Sequence, residues 1–238
     1  MLEQKPDAKI ALLYQNDDFG KDYVNGVRDV LGPRFDAMVK LASHEATDPT
    51  IDSQIVSLQS TGADALICGI IPRFAAQAIR RVHDIGWRPL MFMTNVSVSG
   101  AVVMQPAGPE KGIGLITSDY RKDQSDPAWA NDPGMNEWRD FMRRYIPDGE
   151  LGDNNYTYAY GVASTMLQVL RQCGNDFSRE NVMRQATNIK PLDVATLLPG
   201  VKVQTQPNNY NVIRQMQLQR WDGRSWVRFG GVIEGANV

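Results

Sequence analysis

The sequence predicts an α/β protein whose larger part is a doubly wound parallel sheet. Short apolar runs recur along the first half of the chain, apolar residues at helical spacing separate them, and turn residues bound both. Uninterrupted apolar runs are typical of strands in parallel sheets, because helices cover both faces of such a sheet. The alternation of the two patterns therefore indicates successive βαβ units.

Four predicted strands and three predicted helices make up this first part. Each strand is a short apolar run between polar turn residues, and each helix carries one apolar face. Gly32 and Pro33 end the first helix, Pro72 opens the third, and residues 86–89 end it. In chain order the elements are strand 9–14, helix 23–31, strand 37–41, helix 51–58, strand 65–69, helix 72–85 and strand 90–94.

The middle of the chain changes character after a predicted fifth strand at residues 112–118. Residues 121–133 are polar and contain prolines, which is typical of a linker or crossover. Helical patterns follow at 135–145, 158–170 and 181–187, with no strand pattern between them. Because these helices have no sheet of their own, we expect them to have difficulty burying their apolar faces alone.

The last part of the chain returns to β-structure. Residues 201–203 predict a short strand, and residues 213–220 alternate between apolar and polar. An Asp-Gly pair at 222–223 is a strong signal for a hairpin turn, so residues 227–232 are the predicted return strand. A tryptophan flanks each side of this turn, and cross-strand packing explains the pair without a ligand.

Composition excludes several classes of protein. The 238 residues include 25 Lys and Arg against 27 Asp and Glu, so no basic surface for nucleic acid is expected. The apolar runs are far shorter than the ~20 residues of a membrane span, and two cysteines are too few for a disulfide framework. Residues 1–9 carry charges where a secretory signal needs an apolar stretch. We therefore expect either a cytoplasmic chain or a piece of a longer precursor.

The sequence contains no clear catalytic, metal or cofactor motif. His44 and His83 are the only histidines, and neither accompanies a nucleophile or a second histidine at zinc-binding spacing. Residues 16–18 favour a helix cap and turn over a cation site, since the spaced ligands of a calcium loop are missing. Residues 112–114 lack the third glycine of a dinucleotide fingerprint. The sequence predicts no catalytic residue, no metal ligand and no cofactor.

A binding site is predicted instead from the geometry of the sheet. In an open parallel sheet, ligands bind beyond the carboxyl ends of the strands. Residues 18–20, 70–73 and 94–97 follow the first, third and fourth predicted strands. They offer an aromatic ring, two branched apolar side chains, an amide, hydroxyls and free N–H groups at helix starts, a mixture suited to a small organic ligand. The alternative is that these are ordinary loop residues.

The order of these segments resembles a known family. The stretches KIALLYQNDDFGKDYVNGV, DSQIVSLQSTGADALI and RRVHDIGWRPLMFMT, with the closing QRWDGRSWVRFGGVI, resemble the type I periplasmic solute-binding proteins. Within these, the chain is most similar to the branched-chain amino acid (Leu/Ile/Val) binding branch of ABC uptake systems. The resemblance covers residues 8–233. It implies two α/β lobes with a flavodoxin-like strand order, joined by three crossovers, that trap a ligand when they close.

The same resemblance implies a division of the chain. Residues 1–118 and 197–238 resemble the C-terminal ligand-binding lobe, and residues 119–196 resemble a crossover with the helical part of an incomplete N-terminal lobe. Tyr120 and Leu197 would then be hinge crossings. Family members carry a further N-terminal part with the first lobe's sheet and the groups that bind a ligand carboxylate. Met1 falls where the last helix of that part should end.

Ligand-binding residues carry over only in the C-terminal lobe. Phe19 lies where the family often has an aromatic contact to the ligand, and Ile70 and Ile71 lie where amino acid binders have tyrosines. Asn95 or Val96 falls where those binders place an acid that holds the ligand ammonium. Because the acid is missing, the resemblance favours a neutral, aromatic or carboxylic acid solute over an α-amino acid.

The function expected from this comparison is the non-catalytic solute-binding component of an ABC importer. Its partners would be a small solute and a membrane permease, and a full-length precursor would be periplasmic. One alternative is a ligand-sensing receptor domain of the same fold. A doubly wound enzyme is another, with only Asp17, Asp18 and Arg73 available at the strand ends. A third is a truncated fragment that binds no ligand and forms a homodimer, in which a second copy covers the helices of the incomplete lobe.

Overall fold

The computed structural model describes residues 2–3 and 5–235. Met1, with the helix end predicted there, and the last residues of segment 197–238 lie outside the described residues. The chain divides into two compact units. Unit 1 contains the described chain up to Thr117 together with Gln219–Val227, and unit 2 contains Ser118–Leu218 and the described chain from Arg228 onward.

A parallel sheet forms the centre of unit 1. Its first five strands take the order β2-β1-β3-β4-β5, and each neighbouring pair among them is parallel. This arrangement confirms the predicted doubly wound α/β class and its flavodoxin-like order. Strands β6 and β7 then follow β5 in the sheet. The strands are β1 Ile10–Gln15, β2 Val39–His44, β3 Ala65–Gly69, β4 Leu90–Met93, β5 Ile116–Asp119, β6 Gln215–Trp221 and β7 Trp226–Glu234.

Helices alternate with these strands as expected. The α-helices are α1 Asp18–Leu31, α2 Phe35–Met38, α3 Asp52–Ser60, α4 Pro72–Asp84, α5 Gln105–Ala107, α6 Pro133–Tyr145, α7 Asn154–Cys173 and α8 Arg179–Ala186. The described residues also form a π-helical turn at Gly100–Met104 and four 3₁₀ turns. Among the described residues, no helix is both long and apolar enough to cross a membrane.

Both faces of the sheet are covered at β1, whose alternate residues point to opposite sides. On one face Ala11 and Leu13 of β1 pack in a core with α3 and α4. On the other face Ile10 and Leu12 pack in a core with α1 and α2. This two-sided burial explains why β1 is an uninterrupted apolar run.

Several predicted elements differ from the structure, and four of these differences have a local reason. The first helix begins at Asp18 rather than near residue 23, since the Asp17 side chain caps it. The second strand begins at Val39, because α2 occupies the four residues before it. The fifth strand begins at Ile116, after a 3₁₀ turn and Gly114 with a φ of +92°. The strand predicted at 201–203 is only an isolated bridge between Leu192 and Val203.

The predicted hairpin forms, and its tryptophans pack as expected. Gly223 adopts a φ of +102° in the turn, and the rings of Trp221 and Trp226 lie 5.3 Å apart. Each indole also donates a hydrogen bond, from Trp221 to the Pro109 carbonyl at 2.8 Å and from Trp226 to the Val98 carbonyl at 2.9 Å. The pair therefore holds the segment that follows β4 in place.

Unit 2 consists mainly of helices α6, α7 and α8. Residues 120–214, all of which the structure describes, contain no strand. Their core is built around Trp138 of α6, Val169 of α7 and Leu198 of the following segment. The predicted helices are present, and they lack a sheet between them, as the sequence indicates.

Candidate functional site

The carboxyl ends of β1, β3 and β4 lie at one edge of the unit 1 sheet, because these neighbouring strands are parallel. The structure brings together the three segments that follow them. Phe19 lies in the first turn of α1, Ile71 precedes α4, and Asn95 and Val96 lie in a 3₁₀ turn after β4. The Ser97 hydroxyl donates a 2.6 Å hydrogen bond to the carbonyl of Ile70, which ties the third segment to the second.

Phe19 owes its position to the cap of α1. The carboxylate of Asp17 accepts a 3.0 Å hydrogen bond from the Gly20 backbone N–H and another bond from the Gln15 side chain. These two bonds, the backbone one first, lower the pKa of Asp17. Gly20 packs so closely on β1 that a Cβ there would lie 1.9 Å from the Gln15 carbonyl oxygen. The sequence interpretation of residues 16–18 as a cap is confirmed.

The two isoleucines after β3 occupy different environments. The Ile70 side chain is fully buried in the core of unit 1, so it presents no surface to a ligand in this structure. Ile71 is half-buried and is the N-cap residue of α4, where no side chain caps the helix. Of the two predicted ligand residues, only Ile71 has an accessible side chain.

The turn after β4 presents the other two predicted residues. The Thr94 hydroxyl accepts a 3.4 Å hydrogen bond from the Val96 N–H and so caps the turn. Asn95 is half-buried and Val96 is 47% exposed. No acid stands between Thr94 and Ser99 in the sequence. The turn therefore offers an amide and a branched apolar side chain, without an anionic group of its own.

Sequence reasoning missed a tyrosine at this edge. The Tyr23 hydroxyl shares a hydrogen bond with the Thr94 hydroxyl, and the Tyr23 ring meets Phe19 edge to face at 5.5 Å. The ring also lies against Gly69, where a Cβ would approach it to 2.8 Å. Burial raises the pKa of Tyr23, although the bond to Thr94 opposes this effect. Its spacing of four residues from Phe19 places both on one face of α1, and this spacing could have identified it.

The histidines and cysteines form no reactive arrangement with one another. His44 is buried against Phe74, and its Nδ1 lies 3.0 Å from the Glu45 carbonyl oxygen. His83 is paired with Asp84 on the surface. Burial raises the pKa of the Cys68 thiol. Within the described part of the chain, no three His, Cys, Asp or Glu side chains are grouped so that they could hold a metal ion.

The two predicted hinge residues meet in unit 2, although 77 positions separate them in the sequence. The Leu198 N–H donates to the Tyr120 carbonyl at 2.9 Å, and Arg121 and Leu197 form an antiparallel bridge. Beside this crossing, the Asp119 carboxylate accepts hydrogen bonds from two backbone N–H groups and from the guanidinium of Arg121, at 2.7 to 3.0 Å. The structure thus places the two chain crossings side by side, and their role as hinges stays a prediction.

Unit 2 has an apolar groove of its own, with a volume of about 440 Å³. Its lining includes Tyr158, Val162, Thr165, Met166, Ile189 and Val203. Three of these, Tyr158, Val162 and Met166, follow one another at four-residue spacing along α7 and are each 44% to 51% exposed. The expectation that these helices do not bury their apolar faces alone therefore agrees with the structure.

Comparison with known proteins supports the resemblance seen in the sequence. The family model described as periplasmic binding protein matches residues 1–225. The Leu/Ile/Val-binding protein homolog 7 of Brucella abortus (strain 2308) is 22% identical over 224 residues, which cover 92% of this chain and 54% of the relative. The chain thus spans about half the length of this relative.

Solved structures share the fold at low sequence identity. A branched chain amino acid ABC transporter protein of Thermus thermophilus, solved with bound valine, superimposes with a TM-score of 0.81 at 14% identity, covering 98% of this chain and 62% of that one. A fatty acid ABC transporter substrate-binding protein of Thermomonospora curvata gives 0.75 at 17% identity, covering 98% and 60%. Since the family model covers nearly the whole chain, the chain belongs to the periplasmic binding protein family and has its type I fold.

Proposed function

We propose that this chain belongs to the solute-binding component of an ABC importer and that it binds without catalysing a reaction. The observation that supports this function is the meeting of Phe19, Ile71 and the Asn95–Val96 turn at the carboxyl edge of one parallel sheet. An aromatic ring, an apolar side chain and an amide grip a small solute by contact and hydrogen bonding. No base or nucleophile from the described residues belongs to this set.

The uncharged turn after β4 supports a proposal for the solute class. An α-amino acid carries an ammonium group that requires an anionic partner when it is desolvated. Asn95 and Val96 provide none. We therefore propose a neutral, aromatic or carboxylic acid solute. Among the similar structures, one is named for fatty acids and another was solved with valine, so both chemistries occur on this fold.

The wider functional context is also proposed from the family. The lobes would be residues 1–118 with 197–238 and residues 119–196, with hinge crossings at Tyr120 and Leu197. The full protein would act in the periplasm and deliver its solute to a membrane permease. A ligand-sensing receptor is the alternative, and a similar structure from Rhodopseudomonas palustris is named an extracellular ligand-binding receptor. Loss of solute uptake on deletion of the gene would separate transport from sensing.

Calorimetric titration of the full-length protein, including the further N-terminal part that the resemblance implies, tests the binding proposal. Benzoate, phenylacetate, octanoate and leucine are the probes, and we expect one of the three carboxylates to bind more tightly than leucine. Phe19→Ala should weaken that binding about tenfold or more, because a buried aromatic contact contributes over ~1 kcal/mol. Phe177→Ala removes an exposed ring of unit 2 and is the control, with unchanged affinity expected. Tight leucine binding would contradict the solute class, and failure of all probes would contradict binding by this chain.

The groove in unit 2 favours a second candidate, a homodimer in which another copy covers α7. Burying the exposed Tyr158, Val162 and Met166 side chains would supply the apolar core that such an interface needs. Light scattering after size exclusion should then give twice the mass of 26.6 kDa. Val162→Glu should restore the monomer mass, because a charge in an apolar interface is costly. Val30→Glu, at a 76% exposed site of α1, should leave the dimer intact. A monomeric wild type rules this candidate out.

A further inference from the structure

Tyr23 contacts two of the three segments of the candidate site and also Gly69, the last residue of β3, which directly precedes the remaining segment. It lies in α1, one turn after Phe19, and its side chain extends over the end of β3 to the end of β4. Each of its three contacts joins a different strand end, and all of them lie within unit 1.

The first contact is with Phe19. The two rings meet edge to face, with their centroids 5.5 Å apart and their planes at 73°. This geometry is favourable for aromatic pairs because the positive edge of one ring faces the negative face of the other. The Tyr23 ring therefore restricts the directions in which the Phe19 ring can point.

The second contact depends on a glycine at the end of β3. A Cβ at Gly69 would lie 2.8 Å from two carbon atoms of the Tyr23 ring and 3.0 Å from the Tyr23 Cβ. Any side chain at position 69 would displace the ring. The glycine thus lets Tyr23 lie directly across the strand that separates β1 from β4 in the sheet.

The third contact reaches the turn after β4. The Tyr23 and Thr94 hydroxyls share a hydrogen bond, and the Thr94 oxygen also accepts the Val96 N–H. Thr94 is buried and Tyr23 is half-buried, so an unpaired hydroxyl on Thr94 would be unfavourable. Through Thr94, Tyr23 is therefore linked to the turn that carries Asn95 and Val96.

We propose that Tyr23 is a positioning residue that fixes the separation between Phe19 and the Asn95–Val96 turn. This inference rests on the proposed solute-binding function and extends it, because that separation sets the width of solute that fits at this edge. The Tyr23 ring fixes the position of Phe19 on one side of the site, and the Tyr23 hydroxyl fixes the position of the turn on the other side. Tyr23 itself need not touch the solute.

Spin-label distances test the positioning role without any ligand. Labels at Asp18→Cys and Val96→Cys report the separation, while the native Cys68 and Cys173 are buried. We expect a narrow distance distribution in the otherwise wild-type chain. Tyr23→Phe, which keeps the ring and loses the hydroxyl, should broaden that distribution. A second pair, Asp18→Cys with Glu45→Cys, is the reference and should not change, since the Asn16 backbone N–H after β1 donates to the His44 carbonyl next to position 45 at 2.8 Å.

Substitutions at Thr94 examine the same hydrogen bond from its other end. Thr94→Val should broaden the Asp18–Val96 distance as Tyr23→Phe does, and the double variant should add little further. Thr94→Ser restores a hydroxyl and should restore the narrow distribution. If the variants only lowered the stability of unit 1, both label pairs would broaden alike. Thr94→Ser would then not restore the narrow distribution. Unchanged Asp18–Val96 distances in both Tyr23→Phe and Thr94→Val would overturn the proposal.

A ligand titration completes the test and keeps the two proposals distinguishable. If benzoate, phenylacetate or octanoate binds, Tyr23→Phe should weaken the best of them by about fivefold to tenfold, the effect of one buried hydrogen bond. It should also reduce the affinity difference between the aromatic and the aliphatic probe. If Tyr23→Phe leaves the affinity difference between the two probes unchanged, the proposed effect of Tyr23 on solute specificity is overturned. If none of the probes binds wild type, the binding function fails, whereas the distances still decide the positioning role.

Discussion

Replacing Gly20 by alanine is expected to destabilise unit 1 by about 3 kcal/mol or more, because the added methyl group overlaps backbone atoms. The new Cβ would lie 1.9 Å from the Gln15 carbonyl oxygen and 2.6 Å from the Gln15 nitrogen. Neither atom can move without disturbing β1, which is buried between β2 and β3 in the sheet. The Gly20 N–H would also leave the Asp17 carboxylate that caps α1. The change therefore affects the helix start that carries Phe19.

Gly26 in the same helix provides a matched control. A Cβ there meets no atom within 4 Å, and the residue is exposed. Gly26→Ala should stabilise the helix by about 0.5–1 kcal/mol, since alanine loses less backbone entropy on folding. Urea unfolding followed by circular dichroism gives both free energies. Equal effects of the two substitutions on the free energy of unfolding would show that α1 does not approach β1 closely at Gly20.

Replacing Asp119 by alanine should destabilise unit 2 by about 3–5 kcal/mol, the usual effect of removing one partner of a buried ion pair. The side chains of Asp119 and Arg121 are both about nine-tenths buried. Burial disfavours the charged guanidinium, yet the neighbouring Asp119 holds the pKa of Arg121 above its usual value. Without the carboxylate, the guanidinium and two backbone N–H groups lose a common acceptor.

Two further variants identify the cause of this effect. The double variant Asp119→Ala with Arg121→Met should be more stable than Asp119→Ala alone, because it removes the buried charge as well as its partner. Asp193→Ala breaks an exposed pair with Lys202 and should change the free energy of unfolding by no more than about 1 kcal/mol. Denaturant unfolding curves of the three variants provide the comparison. A double variant as unstable as the single one would point to the backbone bonds instead of the charge.

The sequence predicted the fold well where local pattern and tertiary burial agree. The run at 65–69 coincides with β3, because a strand covered on both faces must be apolar throughout. The strand predicted at 37–41 begins two residues later in the structure, at Val39. Phe35 and Met38 bury their side chains equally well from the helical turn that precedes it. An apolar pattern of four residues does not distinguish these two conformations.

The candidate site was predicted only in outline. Parallel strands placed Phe19, Ile71 and Asn95 at one edge, and this inference needed nothing beyond the order of elements. Whether the side chain after a strand faces the core or solvent depends on the direction in which the backbone leaves that strand. The position of Ile70 after β3 therefore did not predict that its side chain is buried. The bond between Tyr23 and Thr94 joins residues 71 positions apart, and sequence periodicity carries no information on such a contact.

The tryptophan hairpin makes the completion of unit 1 depend on the synthesis of Gln219–Val227, a segment far along the chain from the rest of the unit. Trp226 bonds to the carbonyl of Val98 and Trp221 to that of Pro109, across sequence separations of 128 and 112 residues. During translation the first five strands leave the ribosome long before either indole exists. Until then the segment after β4 lacks its covering rings, and contacts of such long range form late in folding. Unit 1 of a nascent chain therefore remains incomplete until the hairpin residues Trp221 and Trp226 are made, and its exposed apolar surface is open to aggregation until then.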